Sequence, residues 1–236
     1  MIKSFEQLPL LLSYRRAFGR DDLIVAPCNE EAVRWIDRYP NWPYFAFLIC
    51  GEPGSGKTHL ASIFSNYHVD ARLLDEYFIL PDYVHKVVIE NVDKLRNERA
   101  LFHLFNQIKD QGKFLLMTAT TVPEFQLRDL AARMNTVPRT MILMPDVDVL
   151  AMLLIKLFGD KHLHLQPNVL EYILKRLPTS FSLVQKVVEK ADTLSLGQGR
   201  AITIPLMKEA LDDVLSFKHL SKTEEEDEGQ LNLFDF

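Results

Sequence analysis

Apolar residues are distributed along this 236-residue chain in two rhythms, with a change near Pro145. Before it, short apolar runs (YFAFLIC at 44–50, HKVVIEN at 85–91, KFLLMTA at 113–119 and TMILM at 140–144) alternate with longer segments of helical period. Runs without polar alternation suit strands buried on both faces of a parallel sheet. The segments between them, KTHLASIFSNY, ERALFHLFNQIKDQ and EFQLRDLAARM, have the 3.6-residue period of crossover helices. Asn29 reads as the N-cap of a further helix, NEEAVRWIDRY, stopped by Pro40 and Pro43. This is the arithmetic of an α/β domain with a parallel sheet flanked by helices.

After Pro145 the strand signal ends. Four helical stretches follow: VDVLAMLLIKLFGD, PNVLEYILKRL, SFSLVQKVVEKADTL and IPLMKEALDDVLSF. A switch from βα alternation to helices alone predicts a second, smaller, all-helical domain. The expected organisation is an arm at 1–20, an α/β domain at 21–145, a helical domain at 146–217 and a flexible acidic tail at 218–236.

Composition adds limits. Hydrophobic residues are 47% and charged residues 25%, the balance of an ordinary globular protein. A net charge of -5 argues against affinity founded on phosphate neutralisation, so little direct sequence-specific DNA binding is expected. Two isolated cysteines, Cys28 and Cys50, give neither a disulfide framework nor a zinc spacing. No apolar run approaches the eighteen or so residues of a membrane helix, and a cytoplasmic protein without membrane partners is the expectation. His162 and His164 alternate in KHLHL without a third ligand nearby.

The sharpest chemical signal is GEPGSGKT, Gly51 to Thr58, which fits G-x-x-x-x-G-K-[ST] between a strand and a helix. Gly51, Gly54 and Gly56 let the backbone turn its amides, with those of Glu52, Pro53's neighbours and Ser55, toward phosphate. Lys57 is expected at the β and γ phosphates and Thr58 at Mg²⁺. In such folds an acidic residue ending a later strand also serves the metal; here that strand ends in Glu90, which can still reach Mg²⁺. The next position, where a second carboxylate would orient water, holds Asn91, which cannot act as a base. Asp93 could substitute, but two residues further along it is expected to point to the other side. Weak or absent intrinsic hydrolysis follows. Thr118 and Thr120, ending FLLMTAT, either face a γ phosphate and its attacking water or cap the next turn.

The order QLPLLL, DDLIVAPCNEEAV, GEPGSGKTHLA, VVIENVDKL, LLMTATTVP, LRDLAARM and VDVLAMLLIKLFGDKHLHLQPNVLEYILKRLPTSF resembles the AAA+ proteins of the DnaA/Hda family, and within it the short Hda-like regulators. The resemblance runs from about Gln7 to Leu215. It implies an AAA+ nucleotide-binding domain with a helical lid, bound ADP or ATP with Mg²⁺, and contacts to nucleotide from Ile24, Asn29 and His59 besides the phosphate loop. It implies that Arg133 is an arginine finger acting on a neighbouring subunit's nucleotide; a basic residue at a helix C-terminus, favoured by the dipole, is the alternative reading. Ser182 stands where a DnaA-type lid has a sensor arginine, which implies poor reading of the γ phosphate and an ADP-bound resting form.

The resemblance also implies a sliding-clamp motif at Gln7, Leu8, Leu10 and Leu12, and QLNLF (Gln230, Leu231, Leu233, Phe234) resembles its five-residue form. Two apolar anchors at about 1.5 to 3 kcal/mol each, less ordering costs, suit micromolar binding. No helix-turn-helix domain is expected. The implied function is a regulator of replication initiation that binds the clamp and promotes hydrolysis of DnaA-bound ATP. An adaptor that stimulates no hydrolysis and a helicase-loader-type ATPase are the alternatives, and a homo-oligomer stays open.

Overall fold

The computed structural model describes residues 19–216, and the motif positions Gln7 to Leu12 and Gln230 to Phe234 lie outside them. The chain divides into two compact units, one ending at Met144 and the other starting, among the described residues, at Pro145.

The first unit is built on five parallel strands: β1 Ala46–Gly51, β2 His68–Asp70, β3 Lys86–Glu90, β4 Phe114–Ala119 and β5 Arg139–Ile142. Their order across the sheet is β2-β3-β4-β1-β5. Helices α1 Glu30–Asp37, α2 Lys57–Phe64, α3 Glu98–Asp110 and α4 Arg128–Met134 accompany them. Every residue of β1 is buried, as are Val87 to Ile89 and Leu115 to Ala119. That is why these strands read as unbroken apolar runs: both faces lie under helices, and no position needs to be polar.

Several expectations shift. The YFAFLIC strand starts at Ala46, because Tyr44 and Phe45 only flank the core, and TMILM becomes Arg139–Ile142. The segment EFQLRDLAARM is helical only from Arg128. Asn29 holds the N-cap position of α1, yet its side chain makes no capping bond; Oδ1 accepts from Ala26 N (2.9 Å) and Nδ2 donates to Ile24 O (2.8 Å). Strand β2 has no apolar run to announce it, and its three residues are half-buried.

The second unit contains α5 Val147–Asp160, α6 Pro167–Leu174, α7 Phe181–Gln198 and α8 at 204–216. Leu154, Phe158, Ile173, Val184, Val187, Leu206 and Ala210 form its core. Asp146 caps α5 by accepting from Val149 N (2.8 Å), Pro167 opens α6, and Gly199 ends α7 at φ 61°. Lys161 to Asp192 (2.5 Å) and Lys190 to Asp213 tie α7 to its neighbours. No described helix is long and apolar enough to cross a membrane.

Candidate nucleotide site

The loop between β1 and α2 carries Gly51 to Thr58 at the carboxyl end of the sheet. Gly54 (φ 81°) and Gly56 (φ 93°) take conformations that L side chains rarely adopt. At Gly51 the demand is spatial: a Cβ would stand 2.8 Å from Ser55 Oγ and 3.1 Å from Ile142 Cβ. The result is a tight cradle that leads into the N-terminus of an eight-residue helix.

Lys57 Nζ donates to Gly51 O (2.6 Å) and Glu52 O (2.8 Å), folding over the loop. Burial pushes its ammonium below the ordinary lysine value, and the charge of Asp93 is the strongest influence opposing that. Burial likewise pushes the Cys50 thiol up. Asp93 thus bears on the loop, contrary to the expectation that it points away. Asn91 lies at φ 59°, in the left-handed region, and turns the chain into a 3-10 turn at Val92–Lys94 that redirects Asp93. Among the described residues, two buried side-chain atoms lack a hydrogen-bond partner, Ser55 Oγ and Asp93 Oδ1. Both lie at or beside this loop, where the polar atoms of a bound group would satisfy them.

Thr58 Oγ1 donates to Glu90 Oε2 (2.6 Å), so the two residues expected at Mg²⁺ are in direct contact. The other carboxylate oxygen, Oε1, meets His68 Nδ1 at 2.7 Å, while His68 Nε2 meets Ser65 O at 2.8 Å. Both partners accept, so the ring donates from both nitrogens, which is the imidazolium form. Glu90 accordingly holds the His68 pKa above its ordinary value, and His68 holds that of Glu90 below the usual carboxylate range. A hard oxygen donor pair beside a phosphate cradle fits Mg²⁺ chemistry.

Asn91 Nδ2 donates to Asp70 Oδ2 (3.2 Å), and Asn91 N to Thr118 Oγ1 (3.4 Å). Thr118, 2% exposed, therefore ties β4 to the end of β3, while Thr120 stands just past the strand. Arg72 grips Asp70 through Nε (2.9 Å) and Nη2 (2.6 Å), which holds the Asp70 carboxyl down to about 2. A carboxyl depressed in the folded state contributes stability above its unfolded value and loses it as pH falls toward the folded one. Asp70→Asn, which keeps an acceptor for Asn91, is expected to lower Tm by about 1 to 3 °C at pH 7. Thermal scans should show that gap closing between about pH 4 and pH 2.

Of the remaining candidates, Ile24 and Asn29 are joined by the bond described above, and His59 Nε2 lies 2.9 Å from Gly19 O. These residues shape the segment ahead of α1 and its junction with α2. Glu52 and Pro53 are exposed on the loop. No motif points to His68, Asp70 or Arg72; β2 brings them in through the register His68↔Val88 and Asp70↔Glu90.

Arg133 occupies the last turn of α4, with its guanidinium carbon 5.0 Å from the Phe102 ring centroid on α3. Glu98, at the start of α3, accepts from Gln126 N (2.9 Å) and Leu127 N (2.6 Å), which locks the start of α4 against α3. In the second unit Ser182 Oγ lies 3.0 Å from Ser180 Oγ at the start of α7.

The family described as "Hda, lid domain" matches residues 152–211. The DnaA protein of Azoarcus sp. (strain BH72) is 24% identical over 87% of this chain. Domain III of Thermotoga maritima DnaA superposes with a TM-score of 0.70 at 20% identity, covering 88% of this chain and 99% of that one. In its lid-region match, its relatives and its fold, the chain is similar to the DnaA/Hda-like AAA+ proteins. AMPPCP-bound DnaA from Aquifex aeolicus shares the fold at 15% identity with a TM-score of 0.56, over 92% of this chain and 94% of that one. The chain has the parallel sheet of the AAA+ fold and a helical region that matches the lid model. It spans about half the length, 52%, of the Azoarcus relative.

Proposed function

We propose that this DnaA/Hda-like protein binds an adenine nucleotide, docks on the sliding clamp and promotes hydrolysis of ATP held by DnaA. The observation that carries the reading is Arg133. Its guanidinium is half-buried on an aromatic face, and its helix is fastened at the other end by Glu98. Among the described residues it makes no ion pair, so its charge is available to a phosphate presented from outside.

The chain's own nucleotide would serve mainly as a resident ligand. Gly51 to Thr58 and Lys57 would hold the phosphates, and Thr58 and Glu90 would hold Mg²⁺, whose chemistry is to neutralise charge on the phosphate oxygens. Asn91, fixed by Asp70, supplies no base at the position where one is needed. Ser182 supplies no positive charge in place of a lid arginine. These features support slow intrinsic turnover and an ADP-bound resting form. Gln7 to Leu12 and Gln230 to Phe234 support clamp docking by extended segments whose leucines and phenylalanine enter apolar pockets.

The test is ATP hydrolysis by DnaA in the presence of clamp loaded on DNA, with and without the purified chain. Acceleration that needs both clamp and chain is the expected result. No acceleration, with binding to both partners intact, would leave an adaptor in its place.

A further inference from the structure

The loop joining β2 to β3 leaves four large apolar side chains in water: Leu73 (79% exposed), Tyr77 (87%), Ile79 (81%) and Tyr83 (78%). No other large apolar residue among those described exceeds 63%. Single exposed hydrophobics need no explanation, but a cluster on one short segment does.

The segment is fixed in place by its own alternate residues. Leu74, Leu80 and Val84 are buried in the sheet core, and Phe78 packs against it. Asp75 Oδ1 accepts from Tyr77 N (3.0 Å) and Asp75 O from Phe78 N (3.3 Å). Pro81 O accepts from Val84 N (3.1 Å) and from Nζ of Lys113 (3.1 Å), a lysine only 4% exposed. Committing a buried ammonium to one loop carbonyl is costly unless the loop must keep its shape. Tyr77, Ile79 and Tyr83 are therefore displayed on a preformed support, and a partner need not meet the cost of ordering it.

The exposed charge within the segment is of one sign. Asp75, Glu76 and Asp82 are exposed, and residues 75–83 include no lysine or arginine. The nearest cations in sequence are engaged elsewhere: Arg72 with Asp70, and Lys86 over the rings of Tyr39 (5.2 Å) and Phe64 (5.5 Å). Exposed tyrosines could stack on the bases of a single strand, but three carboxylates oppose its phosphates. They complement a protein surface that combines apolar side chains with lysine or arginine.

We infer that the 73–83 loop is a docking surface for a partner protein whose contacting face is apolar and rimmed with lysine or arginine. This stands apart from the clamp and Arg133 readings. Contact through one short segment suits a transient complex.

The test uses the full chain, isotope-labelled, and three probes: a synthetic amphipathic helix of leucine and lysine, its leucine–glutamate counterpart, and oligo(dT). The leucine–lysine peptide is expected to shift the amide signals of 75–84 and to bind about tenfold or more weakly to Tyr77→Ser/Ile79→Ser/Tyr83→Ser. Those side chains stand in solvent, so the variant's remaining amide spectrum should match the parent and certify its fold. Asp75→Asn/Glu76→Gln/Asp82→Asn, which keeps the Asp75 acceptor, should weaken the same peptide and flatten its salt dependence. Equal affinity for the serine variant, or equal binding of the leucine–glutamate peptide, overturns the inference. Oligo(dT) shifting the 75–84 signals overturns it in favour of a nucleic-acid site.

Discussion

Arg133→Ala is expected to cut the acceleration of DnaA's ATP hydrolysis by about a thousandfold or more, the scale on which an arginine finger acts. Nucleotide binding by the chain itself should be unchanged, because Arg133 is on α4 and the phosphate loop is formed by β1 and α2. Arg133→Lys should restore little. An ammonium keeps the charge but lacks the planar fork that meets phosphate oxygens in pairs and sits over the Phe102 ring. Phe102→Ala should fall between: the finger is present but no longer pre-aimed, and a loss of about tenfold follows from one forfeited cation–π contact. The readout is single-turnover hydrolysis of labelled ATP on DnaA. If Arg133→Ala stimulates as well as the parent, the charge acts elsewhere and the hydrolysis reading fails, whatever the clamp contacts do.

How much of the molecule is legible in its sequence depends on whether the information is local. The phosphate loop is eight contiguous residues between a strand and a helix, so its chemistry can be read from the residues alone. Strands β1, β3 and β4 announce themselves because burial on both faces forces apolar runs. Strand β2 carries no such run, being short, at the sheet edge and half-buried. Hidden with it are His68, which holds the Glu90 carboxyl below its usual range, and Asp70, which fixes Asn91. These partners are 22 and 21 residues apart and meet only through strand register. Asp93 departs from expectation for another reason. Counting along an extended strand assumes the strand continues, and the left-handed turn at Asn91 ends it. The Arg133 support is equally hidden, since Phe102 and Glu98 belong to a different helix.

The second large effect concerns Lys57. Lys57→Ala is expected to lower affinity for ADP and ATP by about a hundredfold or more, as removal of one partner from a buried charge-assisted contact does. The fold should survive, because among the described residues Nζ bonds to two loop carbonyls, those of Gly51 and Glu52, and to no side chain of another element. Isothermal titration with each nucleotide checks the first statement and far-ultraviolet circular dichroism the second. Parent-like affinity would show that the cradle amides suffice and that the lysine is dispensable here. Lys57→Arg should also bind poorly, for a wider head group must fit the space left by two glycines at positive φ.

The bond between Asn91 and Asp70 bears on how this chain could change its trade. Restoring a carboxylate at position 91 looks like one step toward a self-sufficient ATPase. It would instead place two acids where an amide now bridges 3.2 Å, and one of them would be driven to hold a proton. A glutamate there would in addition take the left-handed backbone that asparagine tolerates well. A route to catalysis would thus need a second substitution on a strand that no motif marks, and the single mutants on either side of it are expected to be less stable than the parent. On the reading proposed above, a lineage with this exchange is kept from hydrolysis by the geometry of its neighbours, quite apart from any selection on the role itself.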